Sequence, residues 1–365
     1  MVTTLADKVE TQAEAEVGRS PVPNRVLPSM RMLVIGCGSI GRRHAENLLH
    51  LGQQVFIYDR DLMKAQELVS KLGTSIYDFK SHHLAIDAFI ICTPPEYHIP
   101  FALEALEHDS HIFIEKPISH KYDGVNELIE QAKAKGKIIQ VGYQLRFEVG
   151  LRKVAEILKR GDIGKILTAS AEFGLYLPLW HPQEDYRDLY VTKLGIILDG
   201  SHEIDYLRWL LGEITAVSCF AGQRGDLELG PGAEDVAFIN LLFESGILAN
   251  VRLDMLQREY SRYLKLLGSK GQILWTFPHG GASLFLNDGY SECQPASEMG
   301  QLGDNEPYLA EMRDFVDCIQ TGKRPLVTAE DALQTLKVAE ATRLSAFGRG
   351  HIYLNPHPLG SIEKP

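Results

Sequence analysis

Six residues, Gly36-Cys37-Gly38-Ser39-Ile40-Gly41, spell G-x-G-x-x-G directly after an apolar run of strand length at residues 32–35. Where such a turn leads from a strand into a helix, it can hold the pyrophosphate of a dinucleotide. The first glycine makes the tight turn, the second lets backbone amides approach the phosphates, and the third lets the helix pack close to the sheet. The helix N-terminus then faces the anion. Asp59 closes the next apolar run, near the ~20-residue spacing at which an acid accepts hydrogen bonds from the adenosine ribose hydroxyls. An acid there favours NAD, because a 2′-phosphate would meet its charge. Arg60 follows it and Arg42 and Arg43 are near, residue types that accommodate that phosphate, so NADP stays open beside NAD.

Two further residues have types suited to acid–base work on an alcohol. Oxidising a secondary hydroxyl needs a proton acceptor and a cation to steady the developing alkoxide, both within hydrogen-bond reach of one carbon. Lys116, leaving the apolar run 112–114 between Glu115 and Pro117, can supply either, and the Lys116–Pro117 bond is a candidate cis peptide that would aim it. His202 titrates near neutrality and opens a helix after Gly200-Ser201, with Asp205 one turn on to orient it or to fix a nearby backbone group. Taken singly, a lysine is more often a surface charge and a histidine more often structural.

Other polar residues stand where a ligand would be held. Thr93-Pro94-Pro95 follows the apolar run 88–92, and ligands of open α/β sheets bind beyond strand carboxyl ends. Trp180-His181-Pro182-Gln183-Glu184-Asp185-Tyr186-Arg187 mixes aromatic and charged side chains in a turn-like segment, a candidate sugar wall or a charged surface loop. Gln144 and Arg146 lie at the junction of two sequence styles, and Arg258 and Arg262 are candidates for an anionic group. His82-His83 and the pair His108 and His111 lack a third metal ligand at convincing spacing, so no metal is expected.

The elements that must position these residues follow from periodicity. Apolar runs at 32–35, 55–58, 88–92, 112–114 and 138–141 alternate with helical segments at 40–51, 62–72, 99–106 and 125–134, the pattern of βαβ units and a parallel sheet. Gly52, Gly73 and Gly136 sit where helix C-caps fall. After Arg146 come an amphipathic helix at 149–159 and longer alternating runs. Runs 234–243 and 247–256 flank a turn at 244–246, and runs 263–267 and 272–277 flank another at 268–271, which predicts an antiparallel sheet. Late helices are expected at 308–319 and 329–347. The fold class is therefore α/β, with a doubly wound N-terminal unit and a second α/β domain carrying a large open, mainly antiparallel sheet. The expected division is an extension at 1–30, a dinucleotide-binding domain at 31–147, a substrate and oligomerisation domain at 148–349 and a tail at 350–365.

The chain's 365 residues exceed what one core usually organises, and 37 lysines and arginines against 48 acids give a net charge of −11. A broad basic surface for nucleic acid is thus not expected. Five scattered cysteines without a C-x-x-C pair fit reduced thiols in the cytoplasm, and no apolar run reaches the ~20 residues of a membrane helix.

Four stretches together make the sequence resemble a known family: Cys92-Thr93-Pro94-Pro95-Glu96-Tyr97-His98, Glu115-Lys116-Pro117, Val141-Gly142-Tyr143-Gln144-Leu145-Arg146-Phe147, and Gly200-Ser201-His202-Glu203-Ile204-Asp205-Tyr206-Leu207-Arg208-Trp209. From Arg31 to about Arg349 the chain is similar to the Gfo/Idh/MocA oxidoreductases, in a sugar-processing branch. The resemblance implies an NAD(P)-dependent dehydrogenase acting on a hydroxyl of a carbohydrate, with Lys116 bonding the reacting hydroxyl and His202 relaying the proton. It further implies a cofactor site of Gly36, Gly38, Ser39, Ile40, Gly41, Asp59, Arg60, Thr93, Pro94, His98, Glu115 and Lys116. The implied substrate site is Lys116, Gln144, Arg146, Asp185, Tyr186, Arg187, Asp199 and His202. A homodimer or homotetramer built through the C-terminal sheet is expected, and no membrane partner. The chain departs from the pattern in two respects: Asp199 stands three residues before His202, where many members carry an acid four before, and only Gly195 stands upstream where many carry a triple glycine. This puts the role of Asp199 in doubt, and the offset resembles a sugar-processing branch rather than inositol dehydrogenase itself. Two other readings remain beside this one, a non-catalytic dinucleotide-binding regulator on the same fold and a reductase of a non-sugar carbonyl or imine.

Overall fold

Strands buried on both faces read as near-continuous apolar runs, and in the N-terminal unit residues 32–35 and Ala88–Ile91 are apolar and buried throughout. The computed structural model describes residues 29–80, 84–180, 195–278, 281–286, 289, 291–293 and 304–354. Strands β1 (Arg31–Ile35), β2 (Gln54–Tyr58), β3 (Ser75–Ile76), β4 (Ala88–Ile91), β5 (His111–Glu115) and β6 (Ile139–Gly142) form one six-stranded sheet in the order β3-β2-β1-β4-β5-β6. Every pairing in it is parallel. This is the doubly wound dinucleotide-binding order, whose chain reversal between β1 and β4 opens a crevice beyond the strand carboxyl ends. Helices α1 (Ser39–His50), α2 (Leu62–Leu72), α3 (His98–Glu107) and α4 (Val125–Ala134) supply the crossovers. Local chemistry sets their ends. Asp61 caps α2 by accepting from the Met63 and Lys64 amides, and Gly73 closes it in the left-handed region at φ 67°.

After α5 (Val149–Arg160) the chain builds a nine-stranded sheet. Its strands are β7 (Ile166–Tyr176), β8 (Ile214–Gly222), β9 (Val236–Phe243), β10 (Leu248–Asp254), β11 (Leu256–Gly268), β12 (Gly271–Phe277), β13 (Gly281–Leu286), β14 (Ser291–Cys293) and β15 (Ile352–Tyr353), in the order β14-β13-β12-β11-β7-β10-β9-β8-β15. Both hairpins expected from the sequence form, β9 with β10 and β11 with β12. The sheet is mixed, because β7 and β10 run parallel at its centre. In β9 the burial alternates residue by residue, as it must where one sheet face packs on the core and the other does not.

The two units interlock. The helix Glu306–Thr321, far along the chain, sends Met312, Phe315 and Val316 into the same apolar cluster as Met32, Val34, Leu48, Ile57 and Ile90 of the parallel-sheet unit. A helix that follows the second sheet in sequence thus completes the first unit in space, a placement that division of the chain at residue 147 does not anticipate. No described helix is long and apolar enough to cross a membrane.

Candidate active site

The glycine turn has the shape the motif requires. Gly36 adopts φ 99°, a region open to glycine, and a Cβ there would lie 2.7 Å from the Cys92 carbonyl oxygen. A Cβ on Gly41 would run into the Gly36 carbonyl oxygen, so the third glycine seats α1 against the turn. Gly38 differs: it is exposed, and a Cβ on it would meet nothing within 4 Å. It is also the N-cap of α1 and provides no side-chain cap, with exposed Ser39 and half-exposed Ile40 following it in the first helical turn. Asp59, at the end of β2, accepts from the Cys37 amide at 2.7 Å and the Asp61 amide at 2.8 Å, bracing the turn from beside it. An open glycine at a helix N-terminus with an acid one strand away fits a dinucleotide. Arg60 is exposed, whereas Arg42 pairs with Glu67 at 3.3 Å and Arg43 lies over the Tyr308 ring at 4.3 Å.

Lys116 leaves β5 at the sheet's carboxyl edge, and the Lys116–Pro117 peptide is cis. Its ammonium donates to the Asp199 carboxylate and to the Asp199 backbone carbonyl, each at 2.9 Å. Asp199 closes the helical turn Ile196–Asp199, and His202 stands three residues on, in the first turn of the next helix, Ser201–Leu211. His202 is buried, its ring meets Tyr143 edge to face at 5.5 Å, and its Nδ1 finds no hydrogen-bond partner among the described residues. Burial, then the charges of Lys116 and Arg262, hold the imidazole well below the ordinary histidine range. At neutral pH it is an uncharged base beside a lysine cation, the pairing that alcohol oxidation requires.

Several expected contacts turn elsewhere. Arg146 does not reach the crevice: buried at the domain junction, it grips Asp205 with two bonds of 2.8 and 2.7 Å and pairs with Asp331 at 2.5 Å. Asp205 therefore holds Arg146 rather than His202. Arg262 is likewise buried, paired with Glu203 at 2.8 Å, and offers nothing to an anion. Gln144 donates to the Tyr308 hydroxyl at 3.1 Å. His98 is fully buried, with Nδ1 at 2.9 Å from the Pro117 carbonyl oxygen and Nε2 at 2.8 Å from that of Thr93. It ties together the two loops carrying Thr93 and Lys116 and does not itself line the crevice. Glu115 also points inward, to His44 at 2.6 Å. Thr93 and Pro94 remain at the strand edge, half-buried and exposed respectively. Asp185, Tyr186 and Arg187 lie outside the described residues.

Sequence reasoning passed over Tyr143, whose hydroxyl bonds the Ser201 hydroxyl at 3.3 Å and whose ring supports His202. Its position inside the stretch 141–147 was the available signal.

Two family models match the chain. Residues 30–143 match the Gfo/Idh/MocA model described as an oxidoreductase family with an NAD-binding Rossmann fold, and residues 151–274 match the C-terminal domain of the same family. Myo-inositol 2-dehydrogenase of Thermotoga maritima is 27% identical over 87% of this chain and 96% of its own length. The NAD(+)-dependent scyllo-inositol 2-dehydrogenase of Bacillus subtilis is 28% identical over 86% of this chain and 92% of its own. Among solved structures, an oxidoreductase from Agrobacterium radiobacter in complex with NAD+, L-tartaric acid and magnesium superposes with a TM-score of 0.80 at 18% identity, over 89% of this chain and 98% of that one. The two models together span most of the chain, which belongs to the Gfo/Idh/MocA family and is an NAD-dependent oxidoreductase.

Proposed function

We propose that the protein is a dehydrogenase of a secondary hydroxyl on a cyclic polyol or sugar, with an inositol as the first candidate substrate. The observation that carries this reading is the joining of Lys116, Asp199 and an uncharged His202 at the carboxyl edge of the parallel sheet. Relatives named as inositol dehydrogenases, aligned over most of both chains, support the substrate class. A bound nicotinamide supplies the hydride acceptor. Lys116 would donate a hydrogen bond to the reacting oxygen and stabilise it as negative charge develops, and His202 would take the hydroxyl proton. Asp199 would keep the ammonium aimed.

The test is a fluorescence titration with NADH and NADPH, followed by turnover assays with inositols, hexoses, uronic acids and nucleotide sugars. Tight NADH binding and inositol-dependent reduction of NAD are expected. Turnover confined to nucleotide sugars would move the substrate class, and nucleotide binding without turnover of any compound would favour the regulator.

The same reading includes self-association through the open face of the nine-stranded sheet. Phe220, 80% exposed, pairs in register with half-exposed Phe238, and Leu248 on the next strand is 58% exposed. Apolar side chains set together on an uncovered sheet face are usually covered by a partner. Light scattering should give a dimer or tetramer, and the double change Phe220→Glu and Leu248→Glu should lower the mass. A monomer in the unaltered protein would refute this part.

A further inference from the structure

Behind Lys116 lies a cluster that the proposed chemistry does not use. His44 on α1, Glu115 at the end of β5 and Glu311 on the helix Glu306–Thr321 are all buried, and their donor atoms lie within 4.8 Å of one another. His44 Nε2 bonds Glu115 Oε1 at 2.6 Å, while Glu115 Oε2 accepts from the Lys116 amide at 3.1 Å. Room for that carboxylate comes from Gly142, register partner of Glu115 on β6, where a Cβ would lie 2.9 Å from Glu115 Oε1. Glu311 has no accessible surface, and neither of its carboxylate oxygens receives a hydrogen bond among the described residues.

We propose that Glu311 is held as a neutral carboxylic acid and acts with His44 as a positioning pair, fixing Glu115 and through it the backbone of Lys116. The charges around the cluster require this. No lysine or arginine pairs with Glu115 or Glu311 among the described residues: the Lys116 ammonium goes to Asp199, Arg43 stacks on Tyr308, and Asp314, on the same helix, is paired with Lys323 at 3.0 Å. Glu115 has the His44 imidazole and the Lys116 amide as donors, but an ionised Glu311 beside it would be a buried charge with neither cation nor donor among the described residues, a desolvation cost that one proton removes. Burial, and then the neighbouring Glu115 and Asp314, push the Glu311 carboxyl far above its ordinary range.

The three residues come from three elements: the helix behind the glycine turn, the strand that ends in Lys116, and the helix returned from the far end of the chain. Seating of that returning helix thereby bears on the placement of the catalytic lysine. This inference rests on the role proposed for Lys116.

Glutamine copies a neutral glutamic acid in size and in its ability to donate, and leucine copies size alone. Infrared difference spectra of the full-length NAD-bound protein, unaltered against Glu311→Gln, should show the carbonyl band of a buried carboxylic acid present only in the former. With the substrate found by the turnover panel, Glu311→Gln should keep kcat close to that of the unaltered enzyme. Glu311→Leu should lose about 10²-fold in kcat at little change in KM, as a displaced reacting group does. Should the leucine variant fail to fold, His44→Gln is expected to show the same kcat loss. Absence of the acid band, equal losses in the glutamine and leucine variants, or one divalent metal per chain by elemental analysis would each overturn the proposal. The infrared band needs no turnover, so a wrong substrate class and a wrong assignment of Glu311 give different results.

Discussion

The Lys116 ammonium is held twice by one residue, through the carboxylate and the backbone carbonyl of Asp199, each at 2.9 Å. Removing the side-chain half of that grip and removing the ammonium should therefore differ in severity. Lys116→Ala is expected to lower kcat by about 10²–10³-fold, the usual loss of a group that stabilises developing negative charge. Asp199→Asn keeps the carbonyl contact and should lose less. Steady-state kinetics with a parallel NADH titration check this; near-normal turnover of Lys116→Ala would remove the lysine from the mechanism.

His202→Gln should cost about 10²–10⁴-fold in kcat, the range for loss of a positioned acid–base group. The pH dependence has a definite sign. Because the folded imidazole titrates well below the ordinary histidine value of 6.5, it stays uncharged as pH falls through 6.5. The acid limb of kcat/KM for alcohol oxidation should consequently lie below that value. In the unfolded chain the same histidine takes up its proton near 6.5, so native stability should fall below that pH by about 1.4 kcal/mol per pH unit from this group. Denaturant midpoints from pH 8 down to 5 would measure the slope.

Two of the motif glycines should separate by assay. Gly41→Ala forces a Cβ into the Gly36 carbonyl and is expected to destabilise the fold. Gly38→Ala meets nothing within 4 Å and should melt like the unaltered protein, while its NADH dissociation constant rises about tenfold or more, or ~1.4 kcal/mol. Unchanged affinity in Gly38→Ala would show that the pyrophosphate does not lie against that amide.

Arg146→Met should destabilise the fold by about 3–5 kcal/mol, because it leaves Asp205 buried without its cation. Removing both partners, Arg146→Met with Asp205→Leu, should recover part of that loss. Chemical denaturation of the single and double variants decides the matter, and a single variant of normal stability with weakened substrate binding would return Arg146 to the substrate site.

The sequence by itself determined what depends on neighbours along the chain. Continuous apolar strands alternating with helices announced the parallel sheet, Gly-bearing turns between alternating runs announced the β9–β10 and β11–β12 hairpins, and the spacing from Gly36 to Asp59 announced the dinucleotide turn. Each is a local rule of period, turn or cap. Motif context also singled out Lys116 and His202, although nothing in the sequence says that Lys116 pairs with Asp199.

Tertiary structure alone decided which polar residues face the crevice and which face one another. Arg146, Arg262, Glu115 and His98 have the composition of ligand-binding residues, yet each is spent on a buried partner: Asp205, Glu203, His44, and the carbonyls of Thr93 and Pro117. A buried charge must find its counterpart wherever the fold brings one, and sequence distance does not record this. In the same way the Asp199 carboxylate pairs with Lys116, 83 residues earlier in the chain. Likewise Glu311 reached His44 and Glu115 only because the helix Glu306–Thr321 leaves its own sheet and packs on the other, a choice made by apolar burial in three dimensions.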